Sequence, residues 1–182
     1  MQFKSLSIPD VFLLEPTIHN DSRGYFFESF KQSEFNEAIK NEILFAQDNH
    51  SKSMKGVLRG LHYQLPPKSQ GKLVRVISGE IFDVAVDLRK SSQTFGMWVG
   101  NILTSENKRQ VWIPEGFAHG FLTLSESAEV IYKTTDVYSP KNEHCLKWND
   151  ARLAIQWPDI SKIIISPKDQ LGKPLDQSEL FN

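Results

Sequence analysis

The chain has 182 residues, of which 40% are hydrophobic and 24% charged. That is enough for one domain with a substantial core, and it excludes the disordered class. A net charge of −1 gives no overall drive toward nucleic acid or an anionic membrane, so any anion site has to be a local cluster.

The opening residues, MQFKSLSIPDV, lack the apolar core of a signal peptide, and nowhere do about 18 apolar residues run together. Residues 3–14 read as a strand broken by a Pro9-Asp10 turn, and residues 19–24 as a polar turn. Residues 25–30 read as a strand by their aromatic content, with Tyr25, Phe26 and Phe27 expected in the core. Ser33 is expected to N-cap a short helix over residues 34–41, and residues 45–50 return to an extended segment. Residues 56–75, GVLRGLHYQLPPKSQGKLVR, hold two apolar runs on either side of Pro66-Pro67. They are expected to form a hairpin that draws Arg59, His62 and Lys72 together. Burying two cations and an imidazole is costly unless an anion or a strongly polar group meets them.

Residues 80–88 alternate, Ile81, Asp83, Ala85 and Asp87 against Phe82, Val84, Val86 and Leu88. That period predicts a strand with one buried face and its aspartates turned to a wet cavity. Further strands are expected over residues 96–103, 110–113, 117–124, 129–135 and 145–148, and turns with one-turn helices over the last thirty residues. His50 and His144 are expected in loops. The lone cysteine, Cys145, excludes an internal disulfide and fits a reducing, cytoplasmic setting. Many short strands at turn spacings of roughly eight to twelve residues predict an all-β antiparallel sandwich or barrel, with residues 1–182 as a single domain.

The chemistry is narrowed first by absences: the chain has no glycine-rich phosphate loop, no dinucleotide fingerprint and no CxxC pair. The five histidines are His19, His50, His62, His119 and His144, and no two stand at an i, i+2 spacing that would aim both rings at one metal. A metal site assembled through space remains the rival reading on residue types alone. A histidine is a competent general base at neutral pH, and a lysine on a neighbouring strand suits an oxyanion. Asp83, Asp87, Asp136 and Asp169 are candidates to orient the imidazole, and Tyr132 or Tyr138 to supply a proton. Base, oxyanion partner and acid together suit proton abstraction beside a carbonyl. On residue types alone His62 reads more readily as a hydrogen-bonded structural histidine than as a base, and Arg59, Lys72 and Arg75 read equally as a solvated strand face. Trp98, Trp112, Trp148 and Trp157 read as core or interface.

Six motifs in order carry a resemblance: DSRGYFFE at 21–28, QDNHS at 47–51, GVLRGLHYQ at 56–64, GKLVR at 71–75, IPEGFAHGF at 113–121 and YK at 132–133. Together they resemble the dTDP-4-dehydrorhamnose 3,5-epimerases over nearly the whole chain. The resemblance implies a cupin-type double-stranded β-helix, a jelly-roll barrel with few short helices, working as a homodimer on a dTDP-sugar. It implies cofactor-independent epimerisation at C3 and C5 beside a C4 ketone, with mono-epimerases and a non-catalytic sugar-nucleotide-binding cupin as the alternatives on this scaffold. By the same resemblance His62 is the base, Asp169 its orienting partner, Lys72 the enolate stabiliser and Tyr132 the proton donor. Arg23, Glu28, Gln47, Asp48, Asn49, Arg59, His119, Glu143 and Lys168 match contacts to the nucleotide sugar, and Tyr138 an aromatic that stacks on thymine. Arg23 and Glu28 are expected to act across the dimer.

Overall fold

The computed structural model describes all 182 residues, and none of its helices is long and apolar enough to cross a membrane. The first sheet has six strands in the order β1 (Gln2–Ser5), β2 (Phe12–Glu15), β10 (Gln110–Ile113), β7 (Lys72–Ser78), β12 (Ser127–Thr134) and β5 (Gln47–Met54). In the second, β13 (Glu143–Cys145), β6 (Val57–Gln64), β11 (Phe117–Thr123), β8 (Glu80–Asp87) and β9 (Trp98–Thr104) lie in that order. The sixth strand, β14 (Ile164–Ile165), runs parallel to the start of β6. A separate small hairpin pairs β3 (His19–Asp21) with β4 (Gly24–Phe26). The helical part is α1 (Gln32–Ile39), α2 (Pro167–Gln170) and one 3-10 turn (Leu175–Gln177). The expected all-β jelly roll with few short helices is observed.

Alternation places the core. Val74 and Val76 of β7, Val111 and Ile113 of β10 and Val130 of β12 face Ile81 and Ala85 of β8 and Phe117 and Phe121 of β11 between the sheets. The outer face of the second sheet is apolar too: Leu61, Tyr63, Val84, Val86 and Ala118 lie under Leu146, Leu153 and Leu175 of the C-terminal segment. On the outer face of the first sheet, Phe35 of α1 packs on Leu14, Leu73 and Trp112, its ring edge-on to the indole at 5.2 Å.

Several expectations are corrected. β6 and β7 do not form a hairpin; they lie in different sheets, β6 beside β11 and β13, β7 beside β10 and β12. The Pro66-Pro67 segment carries the chain across, since proline has no N–H to join a ladder. The aspartates of β8 do not face a wet cavity. Asp83 and Asp87 are 1% and 0% exposed, because the C-terminal segment covers one face of β8 and the first sheet covers the other. Tyr25 and Phe26 are not core residues but stand 58% and 68% exposed, since the β3–β4 hairpin pairs only with itself. The first helix begins at Gln32 with Lys31 at the cap position and no side-chain cap, so Ser33 lies inside it. His50 and His144 sit on β5 and β13 and not in loops.

Candidate active site

The site is assembled between the two sheets. Arg59 and His62 share the inward face of β6 although three positions apart, which a regular strand forbids. A bulge makes it possible: His119 opposes His62 and Phe121 opposes Arg59, so β6 carries one residue more than β11 between those pairs. Two glycines meet there. Gly60 has φ +120°, and a Cβ on it would come within 2.6 Å of the Gly120 Cα, while one on Gly120 would come within 2.6 Å of the Arg59 carbonyl oxygen.

His62 is held by a residue from the far end of the chain. Ser166 caps α2 by accepting the Asp169 N–H at 3.1 Å, which fixes where Asp169 stands. One Asp169 oxygen accepts from His62 Nε2 at 2.7 Å and the other from the Gly60 N–H at 3.2 Å. Burial of this carboxyl works to raise its pKa, but the His62 bond and charge and the other donors outweigh it, and Asp169 is held below the ordinary carboxylate range. With a carboxylate at Nε2, the lone pair of the ring is on Nδ1, and the side chain remains 30% exposed. The other aspartates are committed elsewhere: Asp83 to His119 at 2.7 Å, Asp87 to Arg89 at 2.7 Å and Asp136 to Lys68 at 3.0 Å.

His62, Lys72, Tyr132, Gln47 and Asn49 line one cavity of about 260 Å³, closed at one side by Tyr138 and Glu143. Lys72 is 8% exposed, and its ammonium donates to a neutral acceptor, the His62 carbonyl oxygen, at 3.3 Å. Burial pushes its pKa down to about 8, with Asp83 and Glu143 opposing through space. At pH 7 Lys72 is therefore a cation in a site of low dielectric, waiting for negative charge. Burial also raises Tyr132, with the Arg59 charge acting the other way, so this phenol is neutral at pH 7. The Arg59 guanidinium is held by Ser53 Oγ at 2.9 Å and the Lys52 carbonyl at 3.2 Å. At the mouth, Tyr138 donates to Glu143 at 2.6 Å, and Lys168 bonds the same carboxylate and lies 5.9 Å from the Tyr138 ring centre. Burial acts to raise Glu143, and those two donors and the Lys168 charge bring it below its ordinary range.

The structure thus brings together His62, Asp169, Lys72, Tyr132, Gln47, Asn49, Arg59, Tyr138, Glu143 and Lys168. It does not bring in the remaining candidates. Arg23 is 88% exposed and paired with Asp21 at the tip of the small hairpin, and Glu28 lines a separate surface recess with His19 and Lys31. Asp48 faces outward in an ion pair with Lys133 at 3.0 Å. His119, though opposite His62 in register, is 7% exposed, bonded to Asp83, and lines no part of the cavity wall. Gln64 and Gln70 line the cavity and were not expected. Gln64 stands two positions beyond His62 on one strand, so period two alone would have found it.

Cys145, opposite His62 on β13, lies with His62 and Asp169 such that their potential ligand atoms are within 4.8 Å of one another. The donor chemistry suits a hydrogen-bonded pair better than a metal. The imidazole and carboxylate are already joined, and burial, with the Asp169 and Glu143 charges, pushes the thiol up to about 12.

Comparisons with known proteins bear on the chain as a whole. A family model described as dTDP-4-dehydrorhamnose 3,5-epimerase matches residues 5–177. The protein of that name from Pseudomonas aeruginosa is 55% identical over 181 residues, covering 100% of this chain and 99% of its own. That of Salmonella typhimurium is 57% identical over 174 residues, covering 96% and 95%. The crystal structure of a dTDP-6-deoxy-D-glucose-3,5-epimerase from Legionella pneumophila, in complex with dTDP-4-keto-L-rhamnose, has a TM-score of 0.95 at 49% identity, covering 98% of this chain and 94% of that one. A 3'-monoepimerase from Streptomyces bikiniensis in complex with dTDP-quinovose has a TM-score of 0.88 at 35% identity, covering 94% and 86%.

Proposed function

The chain belongs to the dTDP-4-dehydrorhamnose 3,5-epimerase family, and we propose that His62, Asp169, Lys72 and Tyr132 carry its chemistry within one epimerase domain. The reaction converts dTDP-4-dehydro-6-deoxy-D-glucose to dTDP-4-dehydro-L-rhamnose by inverting C3 and C5, on the route to dTDP-L-rhamnose. The observation that supports the assignment most is an oriented imidazole and a buried ammonium along one small cavity. The C4 ketone acidifies both flanking C–H bonds, because either carbanion delocalises onto the C4 oxygen. His62 Nδ1 removes the proton, and Asp169 steadies the imidazolium. The Lys72 ammonium balances the enolate charge where water cannot screen it. Tyr132 returns a proton to the opposite face, which inverts the centre; the tyrosinate then regains a proton from solvent and the His62 imidazolium gives its proton up to solvent, so both groups are reset. A second round inverts the other centre. The electron pair goes to and returns from the C4 oxygen, so no oxidant enters. Arg59 and Lys168 serve the diphosphate, Tyr138 the thymine, and Gln47, Asn49 and Glu143 the sugar.

The double epimerase is favoured over a single one by identity: the curated 3,5-epimerases stand at 55% and 57%, the monoepimerase at 35%. A proton NMR time course in heavy water tests the assignment. Deuterium enters both C3 and C5, chelator leaves the rate unchanged, and the rate falls as pH rises through about 8, where Lys72 loses its proton. Exchange at one centre only would indicate a mono-epimerase, and bound sugar without exchange a binding protein.

The working form is a cytoplasmic homodimer in this reading. Its support is that Arg23 and Glu28 stand away from their own chain's cavity, on a hairpin segment with exposed Tyr25 and Phe26. Sedimentation should give twice the chain mass, and Arg23→Ala should raise KM about tenfold, the worth of one charge-assisted contact, with kcat nearly unchanged. A monomer with full activity would overturn the shared site.

A further inference from the structure

The segment that carries Tyr138 has almost no apolar attachment. Val137 and Tyr138 are 45% and 50% exposed, so burial does not decide where they stand. Hydrogen bonds do: Glu143 holds the Tyr138 hydroxyl, the Asp136 carboxylate accepts from the Val137 N–H, and amide side chains hold most of the remaining main chain. Gln64 of β6 accepts from the Ser139 N–H at 2.8 Å and donates to the Val137 carbonyl at 3.2 Å and the Lys68 carbonyl at 2.6 Å. Gln47 of β5 accepts from the Tyr138 N–H at 2.9 Å. Main-chain groups of three consecutive residues are thus gripped by two glutamines, one from each sheet. Gln64 is 3% exposed, and both ends of its amide are spent on the main chain, which leaves it little to offer a ligand.

We infer that Gln64 is a positioning residue for nucleotide binding: with Gln47 it clamps residues 137–139 and sets the Tyr138 ring as a platform at the cavity mouth. This rests on the reading of Tyr138 as the thymine-stacking residue, and it adds the part that holds the platform still. A stacking ring gains most when its position is fixed before the base arrives, since ordering it afterwards costs binding energy. The amide geometry is what matters. Leucine fills nearly the same space and makes none of the three bonds.

The test uses dTDP alone as the probe, measured by calorimetry on the full chain, beside steady-state kinetics. Gln64→Leu should weaken dTDP binding about tenfold, the loss expected when one or two net hydrogen bonds go. KM for the sugar nucleotide should rise in proportion, with kcat within about twofold. Tyr138→Ala should weaken dTDP as well, and adding Gln64→Leu to it should cost less than about twofold more, because the clamp then holds nothing that touches the base. Additive losses would overturn the inference, since they would mean that Gln64 meets the ligand itself. Unchanged affinity in Gln64→Leu would overturn it too. Unchanged affinity in Tyr138→Ala would overturn the platform reading beneath it while leaving the epimerase chemistry standing. If Gln64→Leu folds poorly, Gln64→Glu decides. It keeps the volume and the acceptor for Ser139 but sets a carboxylate oxygen against the Lys68 and Val137 carbonyls, so it should bind dTDP at least tenfold less well. Binding equal to the parent would refute the clamp.

Discussion

Replacing His62 with alanine should lower both product formation and deuterium exchange at C3 and C5 by about 10³–10⁴-fold, the share of a well-placed general base. No other group on the cavity is free to take over. Lys72 is protonated at pH 7, Tyr132 is neutral, and Glu143 is engaged by Tyr138 and Lys168. The substitution also strands the Asp169 carboxylate, which is 4% exposed and would keep the Gly60 N–H and the nearby Ser166 hydroxyl as its partners. A loss of about 1–3 kcal/mol of stability is expected on that account. His62→Asn, which retains a donor for Asp169, separates the two effects: it should melt closer to the parent yet remain as inactive. Exchange within about tenfold of the parent at both carbons, in a folded variant, would assign the base to another group.

The second large effect is a split between two readouts. Tyr132→Phe should slow epimerised product about 10²-fold or more, whereas deuterium entry at the same carbon with configuration retained should fall less than about tenfold. Removal of the proton uses His62, which is untouched; return from the other face uses the phenol, which is gone. Burial keeps this phenol protonated through neutral pH, as a proton donor requires. The same time course reports both quantities, and equal slowing would mean that one group serves both faces.

Much of this arrangement was legible in the sequence. The alternating strands fixed the class of fold, because period two survives whatever a strand pairs with. Pairing itself was less legible. β6 and β7 looked like a hairpin since they are neighbours in sequence, and nothing in their residues states that the proline turn crosses between sheets. Arg59 and His62 converge only through the bulge at Gly60, a local irregularity that composition does not announce. His62 and Asp169, separated by 107 positions, meet through a contact no spacing rule reaches; only family resemblance chose Asp169 over Asp83, Asp87 and Asp136. Tyr25 and Phe26 misled because aromatic content marks a packed surface without saying whose. Period two places Gln64 on the same face as His62, but the part it plays lies in its three main-chain partners, which a neutral amide in a sequence does not state.

One consequence follows from where Asp169 sits. The carboxylate that orients the base rides on a short helix near the end of the chain, within the segment that also roofs the outer face of the second sheet. The apolar roof over the second sheet and the aim of the imidazole are therefore one mechanical unit: the segment that packs Leu146, Leu153 and Leu175 on the sheet also delivers the Asp169 carboxylate to His62. A substitution that loosens that packing should disturb the base from behind, without altering a single residue of the cavity wall.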